Sequence, residues 1–232
     1  MTDNNGFIYI ASLDKKYLKS AIYSAESLKE NFPEANITLY THEEWIEGTD
    51  LSHTFDNIVT KDVPKHKRAK LWALDKTPYD LTVYIDADME IMSEEIQTIF
   101  DQMPDDKDIL LTKIRPYAGA FVYFTEDKDG DQLEDHCGFF MYRKTEKTMA
   151  FMAEWWRLYH DQANGTWQWD TSKYPEKLRP WDQWTWWWLQ NKTDFKLNQG
   201  YFVDDARWNF VNTYKYSELN GKDIIIYHHT ID

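Results

Sequence analysis

The run LTVYIDADMEI, residues 81 to 91, constrains the fold of this chain more than any other stretch. Its first five positions are mostly apolar and β-branched or aromatic, which suits a strand buried on both faces. Two carboxylates around one alanine, Asp86 and Asp88, then follow it. A strand of that kind belongs in the middle of a sheet that helices cover on both sides.

The rest of the chain supplies such a sheet. GFIYIAS (6–12) reads as a first buried strand. Asp14 is a suitable N-cap for a helix in which Leu18, Ile22, Ala25, Leu28 and Phe32 recur at helical spacing up to Pro33. NITLYT (36–41) and FDNIV (55–59) read as further strands, and a helix with Leu71, Trp72 and Leu74 spans Lys65 to Lys76. Ser93 before Glu94 and Glu95 starts another helix, with Ile96, Ile99 and Met103 on one face. DILLTK (108–113) and GFFMYR (138–143) are strands, and Thr145 caps a helix that buries Met149, Met152, Trp156 and Tyr159. DIIIYHH (223–229) is the last strand. This alternation predicts an α/β fold with a mostly parallel central sheet flanked by helices, its ligands bound at the strands' carboxyl ends. With no repeat and no low-complexity linker, residues 1–232 read as one domain.

A formal charge of −14 argues against a nucleic-acid partner or an anionic membrane surface. The single cysteine, Cys137, leaves no internal disulfide and fits a reducing compartment. No charged-then-apolar leader opens the chain and no run nears the ~18 apolar residues of a membrane span, so a cytoplasmic protein is expected. Twelve tryptophans and fifteen tyrosines suit either a ring-rich core or sugar binding, because rings stack on the apolar faces of pyranoses.

On an extended segment residues i and i+2 point the same way, so Asp86 and Asp88 can converge on one cation. Oxygen ligands suit a hard ion, Mn²⁺ or Mg²⁺, of the kind that bridges to substrate phosphates. GDQLED, Gly130 to Asp135, fits the second motif of haloacid-dehalogenase-like phosphatases, but it follows TEDKD and not an apolar strand, and reads as an exposed acidic loop.

KLWALDKTPYDLTVYIDADMEI resembles the corresponding region of the glycogenin-like glycosyltransferases, which have the GT-A fold. YIASLDKKYLKSAIYSAESLK (9–29), DHCGFFMYRKTEKTMAFM (135–152), RPWDQWTWWWLQN (179–191), RWNFVN (207–212) and IIIYHHTID (224–232) resemble further family segments in the same order. The resemblance implies a divalent ion held by Asp86, Asp88 and His228 on the diphosphate of a nucleotide-sugar, with His229 taking over if the register shifts by one. It places Ala11, Ser12 and Tyr17 in the nucleotide pocket, Tyr17 against the base, and Lys70 and Ala87 beside the donor. Asp182 and Gln183 match the Asp-Gln pair that lies against the reacting sugar. It further implies a retaining transferase using UDP-glucose or a relative, with a glycan, protein or lipid-linked acceptor and slow donor hydrolysis in its absence.

The sequence departs from that pattern in two places. His136-Cys137-Gly138 stands where the family has Asn-Ser-Gly, and the Lys-Pro-Trp after the last histidine is missing, which predicts weaker donor binding or a substitute such as Lys70 or Arg68. In the run from Trp181 to Trp188, one helix face either lines an acceptor groove or joins the others in the core. Two other readings stand beside the transferase. A non-catalytic Trp-rich carbohydrate-binding module needs the rings but not the ordered acids; a nucleotidyltransferase needs a glycine-rich loop after the first strand, and ASLDKKY has no glycine.

Overall fold

The computed structural model describes residues 4–115, 133–168, 170, 176–178 and 180–229. In chain order the strands and α-helices are β1 (Asn5–Ile10), α1 (Lys15–Asn31), β2 (Ile37–Tyr40), α2 (Glu43–Ile46), β3 (Asn57–Val59), α3 (Ala69–Ala73), β4 (Leu81–Ile85) and β5 (Met89–Ile91). There follow β6 (Ile109–Lys113), β7 (Asp135–Arg143), α4 (Glu146–Asn164), α5 (Asp182–Lys192), β8 (Gln199–Tyr201), α6 (Asp205–Trp208), β9 (Phe210–Val211) and β10 (Ile226–His228). Seven strands form the main sheet in the order β3-β2-β1-β4-β7-β6-β8. All pairings are parallel except the two made by β7, which runs against β4 and β6. The expected α/β class and mostly parallel sheet are therefore present.

Two apolar layers sandwich this sheet, and the strands feed them alternately. Phe7, Tyr9, Val83, Ile85, Phe139 and Met141 pack on the α1 side, while Ile8, Tyr84, Phe140 and Tyr142 pack on the side of α4 and α5. That alternation is the two-residue period of a strand with both faces covered. Asp14 accepts from the Lys16 amide and Thr145 from the Thr148 amide, so both expected N-caps close their helices.

The structure differs from the sequence reading in several elements. The helix expected over 65–76 is only α3 followed by a 3-10 turn, Leu74–Lys76, and the segment after Ser93 is a 3-10 helix, Glu94–Gln102. The buried face of α4 centres on Phe151, Trp155 and Leu158, with Met149 and Trp156 only partly covered. β7 starts at Asp135, three residues ahead of the expected strand. Gly130, Asp131 and Gln132 of GDQLED lie outside the described residues, but Asp135 is no exposed loop acid: it is buried and accepts from Trp186 Nε1 at 2.8 Å and Tyr201 Oη at 2.8 Å. Trp184, Trp186, Trp187 and Trp188 are all buried, so these four belong to the core and not to a groove.

A small second sheet, ordered β5-β10-β9, decides the site. β10 runs antiparallel to β5, pairing His228 with Met89, and parallel to β9, pairing His228 with Val211. The chain's last described strand is thereby stitched to the segment just after the two aspartates.

Candidate active site

Asp86 and Asp88 do not lie on an extended strand. β4 ends at Ile85 and a turn links it to β5, so the two carboxylates converge through that turn and not through strand alternation. The Asp86 amide donates to the Gly138 carbonyl at 2.8 Å, which continues the β4–β7 ladder by one residue and fixes where the turn begins. Gly138 has to be glycine here. A Cβ on it would stand 2.6 Å from Asp86 Oδ2 and 2.8 Å from the His136 ring.

The pairing of β10 with β5 brings His228 to the aspartates. One ligand atom from each of Asp86, Asp88 and His228 lies within 4.8 Å of the others. His228 Nε2 is 3.4 Å from Asp88 Oδ1, and Nδ1 is 2.9 Å from Asn209 Oδ1. The Asn209 amide nitrogen donates to Thr112 Oγ1 at 2.9 Å, so its oxygen is the atom that faces the ring. His228 therefore donates from Nδ1 and keeps the Nε2 lone pair toward the aspartates, the arrangement a metal-bound histidine uses. His229 is turned away: its Nε2 meets Glu90 Oε2 at 2.8 Å. Two carboxylates and one outward lone pair form a donor set that fits Mn²⁺ or Mg²⁺ with positions left for a substrate.

The charges around this cluster are unevenly placed. Burial raises the Asp86 pKa, Lys70 opposes the shift and Asp88 adds to it. Burial also acts on Asp88, but His228, carrying a proton on Nε2 when no ion takes that lone pair, outweighs it by hydrogen bond and charge and holds that carboxyl below its usual range. Lys70, on α3 and almost wholly buried, spans the site. Its Nζ lies 3.0 Å from Asp182 Oδ2, 3.4 Å from Asp86 Oδ1 and 2.8 Å from the Cys137 carbonyl. Burial disfavours its charge, yet Asp182 and Asp86 together raise its pKa, so it stays an ammonium. Arg68 Nε adds a second cation 3.2 Å from Asp182 Oδ1. Burial works to raise the Asp182 pKa, and Lys70 and Arg68 reverse it, so Asp182 is an ionised carboxylate.

Of the residues expected in the site, Ser12, Tyr17, Lys70, Asp86, Ala87 and Asp88 line one cleft of ≈ 250 Å³, with Arg68 and Lys67 beside them. Ala11, expected in the nucleotide pocket, is fully buried and does not line the cleft, and Asp182 reaches it through Lys70 and Arg68. Gln183 is half-buried on α5, next in the chain to Asp182. The Ser12 hydroxyl donates to the Pro64 carbonyl and meets His42 Nε2 at 3.0 Å, so it ties the β1 loop together. The sequence reading missed Asn209. RWNFVN was noted as a segment, but only the pairing of β9 with β10 shows which of its side chains turns to the histidine.

The sequence matches no family profile and no curated protein. Solved structures do match. The glycosyltransferase GlyE of Streptococcus pneumoniae aligns over 98% of this chain with a TM-score of 0.63 at 13% identity, and the chain spans 55% of GlyE. The galactosyltransferase LgtC, solved with donor and acceptor sugar analogs, aligns over 97% of this chain and 86% of its own at a TM-score of 0.59 and 14% identity. Mouse xyloside xylosyltransferase 1 aligns over 97% of both chains at 0.56 and 11% identity. The fold is GT-A. In this GT-A chain the Asp86–Asp88–His228 cluster sits past the carboxyl end of β4, where such sheets take their ligands.

Proposed function

We propose that this GT-A chain is a divalent-metal-dependent hexosyltransferase that moves a sugar from a nucleotide-diphosphate donor, UDP-glucose or a relative, to a glycan. Retention of anomeric configuration is part of the proposal and rests on the resemblance to glycogenin-like enzymes. The observation that carries the reading is the convergence of Asp86, Asp88 and His228 within 4.8 Å, with Lys70 reaching from Asp86 to Asp182.

Mn²⁺ or Mg²⁺ held by Asp86, Asp88 and His228 would neutralise charge on the leaving diphosphate. The chain's own residues supply the rest. In a protein of net charge −14, Lys67, Arg68 and Lys70 gather positive charge at the cleft that a diphosphate has to enter. Lys70 and Arg68 can turn their N–H groups from Asp182 to donor oxygens. Asp182, being ionised, cannot act as a general acid; a fixed carboxylate stabilises positive charge that develops on the sugar as its bond to the leaving group lengthens. Gln183 orients the donor sugar, and Tyr17 stacks on the base. Water admitted to the open side of the site would give slow donor hydrolysis.

Calorimetry with UDP tests the reading. Binding is expected in Mn²⁺ and a loss of about 100-fold or more in EDTA, as expected when the ion carries much of the diphosphate contact. Equal affinity in both would remove the metal site, and a carbohydrate-binding module would ignore UDP altogether. Asp182→Asn should lower donor turnover about 100-fold while changing UDP affinity little.

A further inference from the structure

Trp181 breaks two local rules at once. It occupies the N-cap of α5, where Ser, Thr, Asp or Asn would satisfy a first-turn amide, and its side chain makes no capping bond. It is also the one described tryptophan that is exposed, at 36%, while Trp184, Trp186, Trp187 and Trp188 of the same run are 8% exposed or less. Among the described residues its ring has no ring or cation partner and its indole N–H no acceptor. The backbone beneath it is nonetheless held firmly. Its amide donates to the Leu178 carbonyl at 2.9 Å, and its carbonyl accepts from Gln162 Nε2 at 2.8 Å. A large ring placed on a rigid backbone at a local cost in capping is the mark of a contact surface.

Its place in the chain puts it beside the candidate site. Consecutive Cα atoms are about 3.8 Å apart, so the ring starts one residue from Asp182, whose side chain turns inward to Lys70 and Arg68. Tyr159 Oη donates to the neighbouring Pro180 carbonyl at 3.3 Å. From there α4 carries Trp156, partly exposed and 5.4 Å from the ring of His66, which lines the cleft.

We propose that Trp181 is the platform on which a pyranose of the acceptor stacks, presenting a hydroxyl toward the sugar held beside Asp182; this rests on the transferase reading above. The apolar face of a pyranose covers the indole ring, and the free indole N–H donates to a ring hydroxyl.

The test is a glycan array probed with wild type, Trp181→Ala and Trp181→Tyr in Mn²⁺ and UDP, with UDP calorimetry in parallel. Wild type is expected to bind a subset of pyranosides, Trp181→Ala at least about tenfold more weakly and Trp181→Tyr nearly as well as wild type. Equal binding by wild type and Trp181→Ala, or no pyranoside bound by wild type, would overturn the inference. So would a loss of UDP affinity in Trp181→Ala alone. Failure of wild type to bind UDP in Mn²⁺ fells the transferase reading itself.

Discussion

Burial raises the pKa of Asp86 while His228 lowers that of Asp88, so the turn that joins them carries one reluctant anion and one stable one. The linkage sign for Asp86 follows from its raised folded pKa. As pH rises the unfolded chain ionises first, so stability falls through the window between the two pKa values and stays lower above it. Asp86→Asn removes that cost. It should raise the thermal midpoint of the metal-free protein at pH 7 while abolishing Mn²⁺-dependent UDP binding; a lowered midpoint would show that the Lys70 pairing outweighs the desolvation. Gly138→Ala probes the same carboxylate from behind. A methyl group 2.6 Å from Asp86 Oδ2 has to push it aside, so UDP affinity in Mn²⁺ should drop about tenfold or more with the circular dichroism spectrum intact. Unchanged affinity would show that the turn can yield without moving the carboxylate.

At the scale of elements, the three-stranded sheet is what turns separate residues into a site. Asn209, just before β9, holds His228 on β10 against Asp88, just before β5. Asn209→Ala should weaken Mn²⁺ binding about 10- to 100-fold, because the ring loses the bond that sets its tautomer. Electron paramagnetic resonance of free Mn²⁺ reads this directly, and wild-type affinity in the variant would mean that packing alone orients the ring. The sequence revealed β1, β2, β4 and much of β7, since each carries enough apolar residues to show a period, and it revealed the Asp14 and Thr145 caps. The resemblance to glycogenin-like enzymes pointed to Asp86, Asp88 and His228 as one ligand set, and the fold brings the three together. The sequence did not reveal β5, β8 or β9, because two or three residues have no period to read and their partners lie far off in the chain. The choice between His228 and His229 was open for the same reason: it depends on the register of β10 against β5, a fact of pairing and not of local preference.

For the whole molecule, a net charge of −14 means that the folded chain repels itself. Raising ionic strength from 0.01 to 0.15 M shortens the screening length from about 30 Å to about 8 Å, so the thermal midpoint should climb with added NaCl. A falling midpoint would show that surface pairs such as Arg207 with Glu95 matter more than the overall repulsion. The route of the chain through the two sheets has a further effect. A ribosome delivers Asp86 and Asp88 early and His228 late, and until β10 docks on β5 the pair of acids lacks its third partner. Under the proposed transferase reading, a chain made only as far as β9 could not yet grip a nucleotide-sugar and waste it on water, because the docking of β10 on β5 completes the ligand set.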